Sequence, residues 1–125
     1  MTIATLDVDN YGAFNREYGH MAGNEVLVAI AELLEQALIP FKPQPHIYRS
    51  GGEEFNIAFP NTDSAHAVDA IRLCLLRVRE HDFAAGDGIA KITLSAGMTA
   101  LVDADDTIED VFKRADDNLR LSKHR

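Results

Sequence analysis

Thr2 to Val8 sets apolar Ile3, Leu6 and Val8 among small residues, a strand-like run that closes with the carboxylates Asp7 and Asp9. From Ala22 to Leu38, Val26, Leu27, Ile30, Leu33, Leu34 and Leu38 recur at helical spacing, and Pro40, Pro43 and Pro45 end the run. His46 to Ser50 and Glu54 to Phe59 read as two short strands around Gly51-Gly52, a pair that tolerates the positive φ of a tight hairpin. Ser64 to Arg79 returns to helical spacing through Val68, Ile71, Leu75 and Val78, with Asp63 or Ser64 as the N-cap. Ile89 to Leu101 is strand-like, with Gly86 and Gly88 ahead of it and Gly97 inside it. Thr107 to Lys123 predicts a last helix, capped by Thr107, with Ile108, Val111, Phe112, Ala115 and Leu119 on one face.

The order strand, helix, hairpin, helix, strand, helix predicts an α+β fold of the palm-like kind, one central antiparallel-rich sheet flanked by helices. At 125 residues and 46% hydrophobic content, residues 1–125 form a single domain around one core, with no internal repeat, linker or low-complexity tract. Twenty acidic residues against 12 basic ones give a formal charge of −8. That excludes a surface for duplex nucleic acid or anionic membrane, and an anionic ligand would need a cation to mediate. The single cysteine, Cys74, rules out an internal disulfide and fits a reducing compartment, and its place among Leu73, Leu75 and Leu76 marks it as a packing residue. The opening MTIATLDVDN has no basic n-region or long apolar stretch, and no later run reaches membrane-spanning length. The domain reads as soluble and cytoplasmic, whether or not the full-length protein is attached to a membrane.

The carboxylates carry the candidate chemistry. Asp7 and Asp9 are two apart on an extended segment, so they share a side of the strand, or diverge if the chain turns at Asn10. Glu53 and Glu54 follow a glycine turn, where backbone can approach a ligand closely. If that hairpin lies beside the first strand, Asp7 and Glu53 could clamp Mg²⁺, which takes one or two carboxylates and completes its shell with phosphate oxygens and waters. The plainer alternative is an exposed hairpin with a solvated acidic tip.

Arg49-Ser-Gly-Gly-Glu-Glu-Phe55 resembles the signature of the GGDEF domain, the catalytic domain of diguanylate cyclases, in its GGEEF variant. Three further blocks match in order: Leu6-Asp-Val-Asp-Asn-Tyr11 continuing through Asn15 and Tyr18-Gly-His-Met-Ala-Gly23, then Thr93-Leu-Ser-Ala-Gly97, then Ala115-Asp116 through Leu119 to Lys123. The resemblance covers nearly the whole chain and implies the nucleotidyl-cyclase, ferredoxin-like form of the palm. It also implies a reaction, in which two GTP condense to cyclic di-GMP with release of two pyrophosphates, each domain of a homodimer holding one GTP. Site roles follow from the same resemblance. Asp7, the Val8 carbonyl and Glu53 bind Mg²⁺ or Mn²⁺, and Glu54 assists deprotonation or holds a second metal. Asn15 and Asn24 read the guanine edge, the backbone amides of Asn10 and Tyr11 meet the phosphates, and Lys123 contacts the terminal phosphates. Read without the resemblance, Asn15 could cap the turn before Tyr18-Gly-His20, His20 is a structural hydrogen-bonding residue, and Lys123 is a surface lysine favoured at a helix C-terminus.

The departures from that pattern are specific. Gly12 stands where the family has a lysine after the D-x-D turn, and Asn24 where it has the guanine-reading aspartate. An asparagine offers one acceptor oxygen and a donor in place of a carboxylate. Lys42-Pro-Gln-Pro45 occupies the register of the inhibitory R-x-x-D product site. The family's N-terminal helical segment and the G-R-N after its closing helix are absent, so the expectation is a domain truncated at both ends, taken from a longer protein with an input or sensor domain. Two functions remain open from the residues: a diguanylate cyclase, or a degenerate domain that binds nucleotide or a partner domain and regulates without turnover.

Overall fold

The computed structural model describes residues 1–49 and 51–100. Its elements in chain order are β1 (Thr2–Val8), α1 (Tyr11–Tyr18), α2 (His20–Leu38), β2 (His46–Arg49), β3 (Glu54–Phe59), α3 (Ser64–Glu80), β4 (Phe83–Ala85), β5 (Gly88–Ala90) and β6 (Leu94–Ala100). Four strands form one antiparallel sheet in the order β2-β3-β1-β6, and β4 and β5 form a separate hairpin. The α+β expectation therefore holds. The last predicted helix, Thr107 to Lys123, lies outside the described residues.

β1 is central because it is buried on both faces. Leu6 lies opposite Phe55 and Ala4 opposite Ile57, and these four join Leu27, Ile30 and Leu34 of α2 and Ile71, Cys74 and Val78 of α3 in one core. The phenylalanine of the GGEEF signature is thus a core residue, wholly buried. Truncating such a side chain costs roughly 3–5 kcal/mol, much of the stability of a typical domain. On the opposite face Ile3, Thr5 and Asn56 are also buried, and the Thr5 hydroxyl donates to Asn56 Oδ1 at 2.9 Å. That face becomes acidic toward the end of β1.

Two elements were not foreseen. α1 is a separate helix because Gly19, at φ 91° and ψ 162°, takes a conformation closed to other residues and breaks the chain between Tyr18 and His20. None of the residues of α1 is fully buried, so its apolar periodicity is faint. The strand expected from Ile89 to Leu101 divides into β5 and β6, with β4 and β5 joined at Gly86. Lys91 leaves the strand path to pair with Asp82 and to donate to the Glu80 carbonyl. α3 starts as expected: the Asp63 side chain accepts from the His66 N–H at 2.9 Å. Burial pushes the Cys74 thiol up to about 12, which leaves it an inert packing group.

Candidate active site

β3 pairs with β1 in a register that puts Asp7 opposite Glu54. Directly opposed residues of an antiparallel pair share a face with their Cβ atoms about 5 Å apart. Two carboxylates brought this close offer oxygen donors that a divalent cation could share. Glu53 enters through the turn, where its carbonyl accepts the Val8 N–H at 3.2 Å. Asp7, Glu53 and Glu54 are all half-buried, so the acidic pair is not a solvated tip.

The hairpin that delivers these carboxylates is built by its glycines and by Arg49. Gly51 and Gly52 both have positive φ, 113° and 47°, and the Glu54 N–H closes the turn onto the Gly51 carbonyl at 3.1 Å. Arg49 Nη2 donates to the Gly52 carbonyl at 2.6 Å while its guanidinium lies 5.6 Å from the Phe55 ring centre. Arg49 had no role in the sequence reading. Its position in the first strand of the hairpin was the available signal.

Asp7 and Asp9 share a side of the strand, since Ser95, which lies opposite Asp7 on β6, bonds Asp9, but the two meet different partners. Asp9 follows the end of β1, and its two oxygens accept the hydroxyls of Thr93 at 2.7 Å and Ser95 at 2.6 Å. The chain then turns at Asn10, which is left-handed at φ 58° and ψ 27°, and α1 begins. The sequence reading gave Thr93 and Ser95 no task, although two hydroxyls two apart face one side of an extended chain.

A second group of predicted residues meets between α1 and α2. A Cβ built on Gly23 would lie 1.7 Å from Asn15 Oδ1 and 2.8 Å from the Tyr11 hydroxyl, so the bare Cα of α2 is what makes room for both side chains. Asn15 Oδ1 is buried and without a hydrogen-bond partner among the described residues. The Asn15 backbone carbonyl accepts the Gly19 N–H at 2.8 Å where α1 ends. Asn24, next along α2, is exposed, as is His20 at the start of that helix. Beside Gly12, Arg16 Nη1 lies 3.3 Å from where a Cβ would stand. Lys123 lies outside the described residues. A cavity of about 290 Å³ opens on the other flank of α1, lined by Asp9, Asn10, Phe14, Glu17, Tyr18 and Lys91 among others. It touches the Asn10-Tyr11 turn but not Asp7, Asn15 or the Glu53-Glu54 pair.

Among the described residues no three histidine, cysteine or acidic side chains converge as a ready-made metal cage. The donors present fit a hard cation of the magnesium kind, which binds one or two carboxylates and takes the rest of its shell from phosphate and water. Also among the described residues, no helix is long and apolar enough to cross a membrane.

Residues 1–125 match the family model described as diguanylate cyclase, GGDEF domain. A diguanylate cyclase of Vibrio cholerae is 31% identical over 98% of this chain and 37% of its own length. The diguanylate cyclase SiaD of Pseudomonas aeruginosa, solved in complex with its activator SiaC, superposes with a TM-score of 0.90 at 30% identity, covering 98% of this chain and 46% of that one. The active GGEEF domain of a Vibrio cholerae diguanylate cyclase superposes with a TM-score of 0.86 at 31% identity, covering 98% and 76%. With the opposed carboxylates, the hairpin and the α1–α2 contact in place, the chain belongs to the diguanylate cyclase GGDEF domain family. It spans under two fifths of the length of the curated relatives it matches first.

Proposed function

We propose that this chain is the catalytic domain of a diguanylate cyclase, which joins two GTP molecules into cyclic di-GMP and releases two pyrophosphates. The observation that carries the reading is the opposition of Asp7 and Glu54 at the end of β1, next to a turn that leads into α1. In each half-reaction a ribose 3′-oxygen forms a bond to the α-phosphorus of the other GTP, the bond from that phosphorus to the β-phosphate bridge breaks, and the hydroxyl proton leaves. Such transfers are catalysed by positioning and by charge stabilisation. Asp7, the Val8 carbonyl and Glu53 would hold Mg²⁺ or Mn²⁺, with Glu54 as a further ligand or as the acceptor of the hydroxyl proton. The bound ion would supply neutralisation of the charge that builds on the transferring phosphate.

The remaining groups position the nucleotide. The amides after Asn10 face the phosphates at the start of α1, where unpaired N–H groups favour anions. Lys123 adds a point charge, and Arg16 supplies one near the place left by Gly12. Asn15 and Asn24 read the base. Since one domain holds one GTP, turnover needs two copies face to face, and we assign their assembly to an input or sensor domain elsewhere in a longer cytoplasmic protein. A regulatory domain without turnover is favoured only by Gly12 and Asn24, and Arg16 weakens the first of these. Lys42 Nζ donates to Gln44 Oε1 within its own segment, so the usual product site has neither an arginine fork nor a carboxylate. Added cyclic di-GMP should then inhibit by weak competition with GTP, and tight noncompetitive inhibition would place a product site elsewhere.

The direct test is incubation of the protein with GTP and Mg²⁺ or Mn²⁺, followed by mass spectrometry of the products. Cyclic di-GMP is expected from the wild type and not from Asp7→Asn. GTP bound but never converted by an assembled dimer would leave the regulatory reading in its place.

A further inference from the structure

We infer that Asp9 is a positioning residue for the nucleotide site rather than a metal ligand: braced by Thr93 and Ser95, it sets the turn between β1 and α1. The inference rests on the reading above, in which that turn meets the triphosphate. Three bonds hold Asp9. Oδ2 accepts the Thr93 hydroxyl at 2.7 Å, Oδ1 accepts the Ser95 hydroxyl at 2.6 Å, and its N–H donates to the Thr93 carbonyl at 3.0 Å. Hydroxyl bonds this short to a carboxylate are charge-assisted, and both oxygens are engaged. The partners lie 84 and 86 residues away in sequence, so the brace ties the segment entering β6 to the end of β1.

What the brace controls comes next in the chain. Asn10 is left-handed, a conformation asparagine tolerates without preferring it, and its side chain makes no capping bond to α1. The first helical bond, from the Phe14 N–H to the Asn10 carbonyl at 3.1 Å, depends on that turn. A helix start that is not capped by its own side chain is therefore held from outside by the residue just before it. Asp7 faces Glu54 across the sheet, whereas Asp9 faces two hydroxyls, and the two carboxylates divide the work accordingly.

The test compares Asp9→Asn, Asp9→Ala and the double variant Thr93→Val/Ser95→Ala with Asp7→Asn. An asparagine can accept one hydroxyl and donate to the other, so it keeps the brace without the charge. In metal-free protein, amide hydrogen exchange at residues 14–16, whose N–H groups make the first helical bonds of α1, should quicken about tenfold or more in Asp9→Ala and in the double variant, and stay near wild type in Asp9→Asn. Mn²⁺ titrated with GTP present should bind Asp9→Asn within about threefold of wild type and Asp7→Asn at least about tenfold more weakly. Loss of Mn²⁺ affinity in Asp9→Asn equal to that in Asp7→Asn would make Asp9 a ligand and overturn the inference. Unchanged exchange in both brace-deleting variants would overturn it as well. A wild type that binds no GTP overturns the nucleotide reading and the inference with it, and is recognisable because it fails before any substitution is made.

Discussion

The two flanks of β1 put carboxylates in opposite circumstances. On the β3 flank Asp7 lies opposite Glu54, whereas on the β6 flank Asp9 lies against the hydroxyls of Thr93 and Ser95. A carboxylate supplied with O–H donors keeps its charge in place, and its geometry becomes part of the scaffold. A carboxylate set opposite another gains most when a counter-ion arrives. Two aspartates separated by one residue thus meet different partners, although Ser95, which bonds Asp9, lies opposite Asp7 in the β6 register.

The largest expected effect breaks the β3 flank alone. Asp7→Asn and Glu53→Gln should each lower cyclic di-GMP formation at least about a hundredfold with the melting temperature nearly unchanged, because each removes a charged ligand and no packing. Product assays beside thermal melts check this. Full activity in either variant would dissolve the contrast between the flanks.

Gly23→Ala should come next. The new Cβ would collide with Asn15 Oδ1, the far end of a side chain, so the amide can swing away without disrupting the core. Replacing glycine within a helix also gains up to about 1 kcal/mol. Stability should therefore hold while GTP affinity falls about ten- to a hundredfold, a split that calorimetric titration and melting together would reveal. A parallel loss of both would show that the α1–α2 contact is scaffold, like the Asp9 brace, instead of a base-reading groove.

A smaller gain should follow from Asn24→Asp, which restores a charged acceptor at an exposed position of α2. GTP should bind about tenfold tighter, and its preference over ATP should sharpen, since adenine lacks the N1–H and exocyclic amine pattern of guanine. Titration of both nucleotides into wild type and variant measures it. An unchanged preference would leave base selection to Asn15 and backbone groups.

The smallest effect tests the donor-satisfied side of the comparison at another carboxylate. The His66 backbone N–H, followed by the His66 side chain, holds the Asp63 carboxyl below the usual aspartate value. A folded value below the unfolded one means that its stabilisation is present above the unfolded value and is lost as pH falls through the folded one. The melting temperature of wild type should exceed that of Asp63→Ala by a few degrees near neutrality, and the gap should close below about pH 4. A gap that persisted in strong acid would mean that the charge contributes nothing.

Much of this fold was legible along the chain, for reasons visible in particular elements. β1 and β3 matched their expected spans, and α2 and α3 matched theirs closely, because each buries a regular set of apolar side chains. α1 escaped because no residue of YGAFNREY is fully buried, although Tyr11, Phe14 and Tyr18 offered a faint helical spacing. The β4–β5 hairpin escaped because each strand has three residues and only the Gly86-Asp87 pair marked the turn. At the site, the signature, Asp7, Asn15 and the departures at Gly12 and Asn24 could be named from sequence. The brace on Asp9 could not, because its partners lie more than eighty residues away.

By itself the sequence determined the periodic elements, the acidic character and the family, since periodicity and motif order are local properties that survive without coordinates. Only the tertiary structure decided that Asp7 faces Glu54, that Asp9 faces hydroxyls, and that Gly23 makes room for Asn15. Each of these depends on strand register or on the approach of two helices. A shift of one residue in register would turn every side chain of β1 to the other face and take Asp7 away from Glu54, and that choice is made by the packing of the whole core.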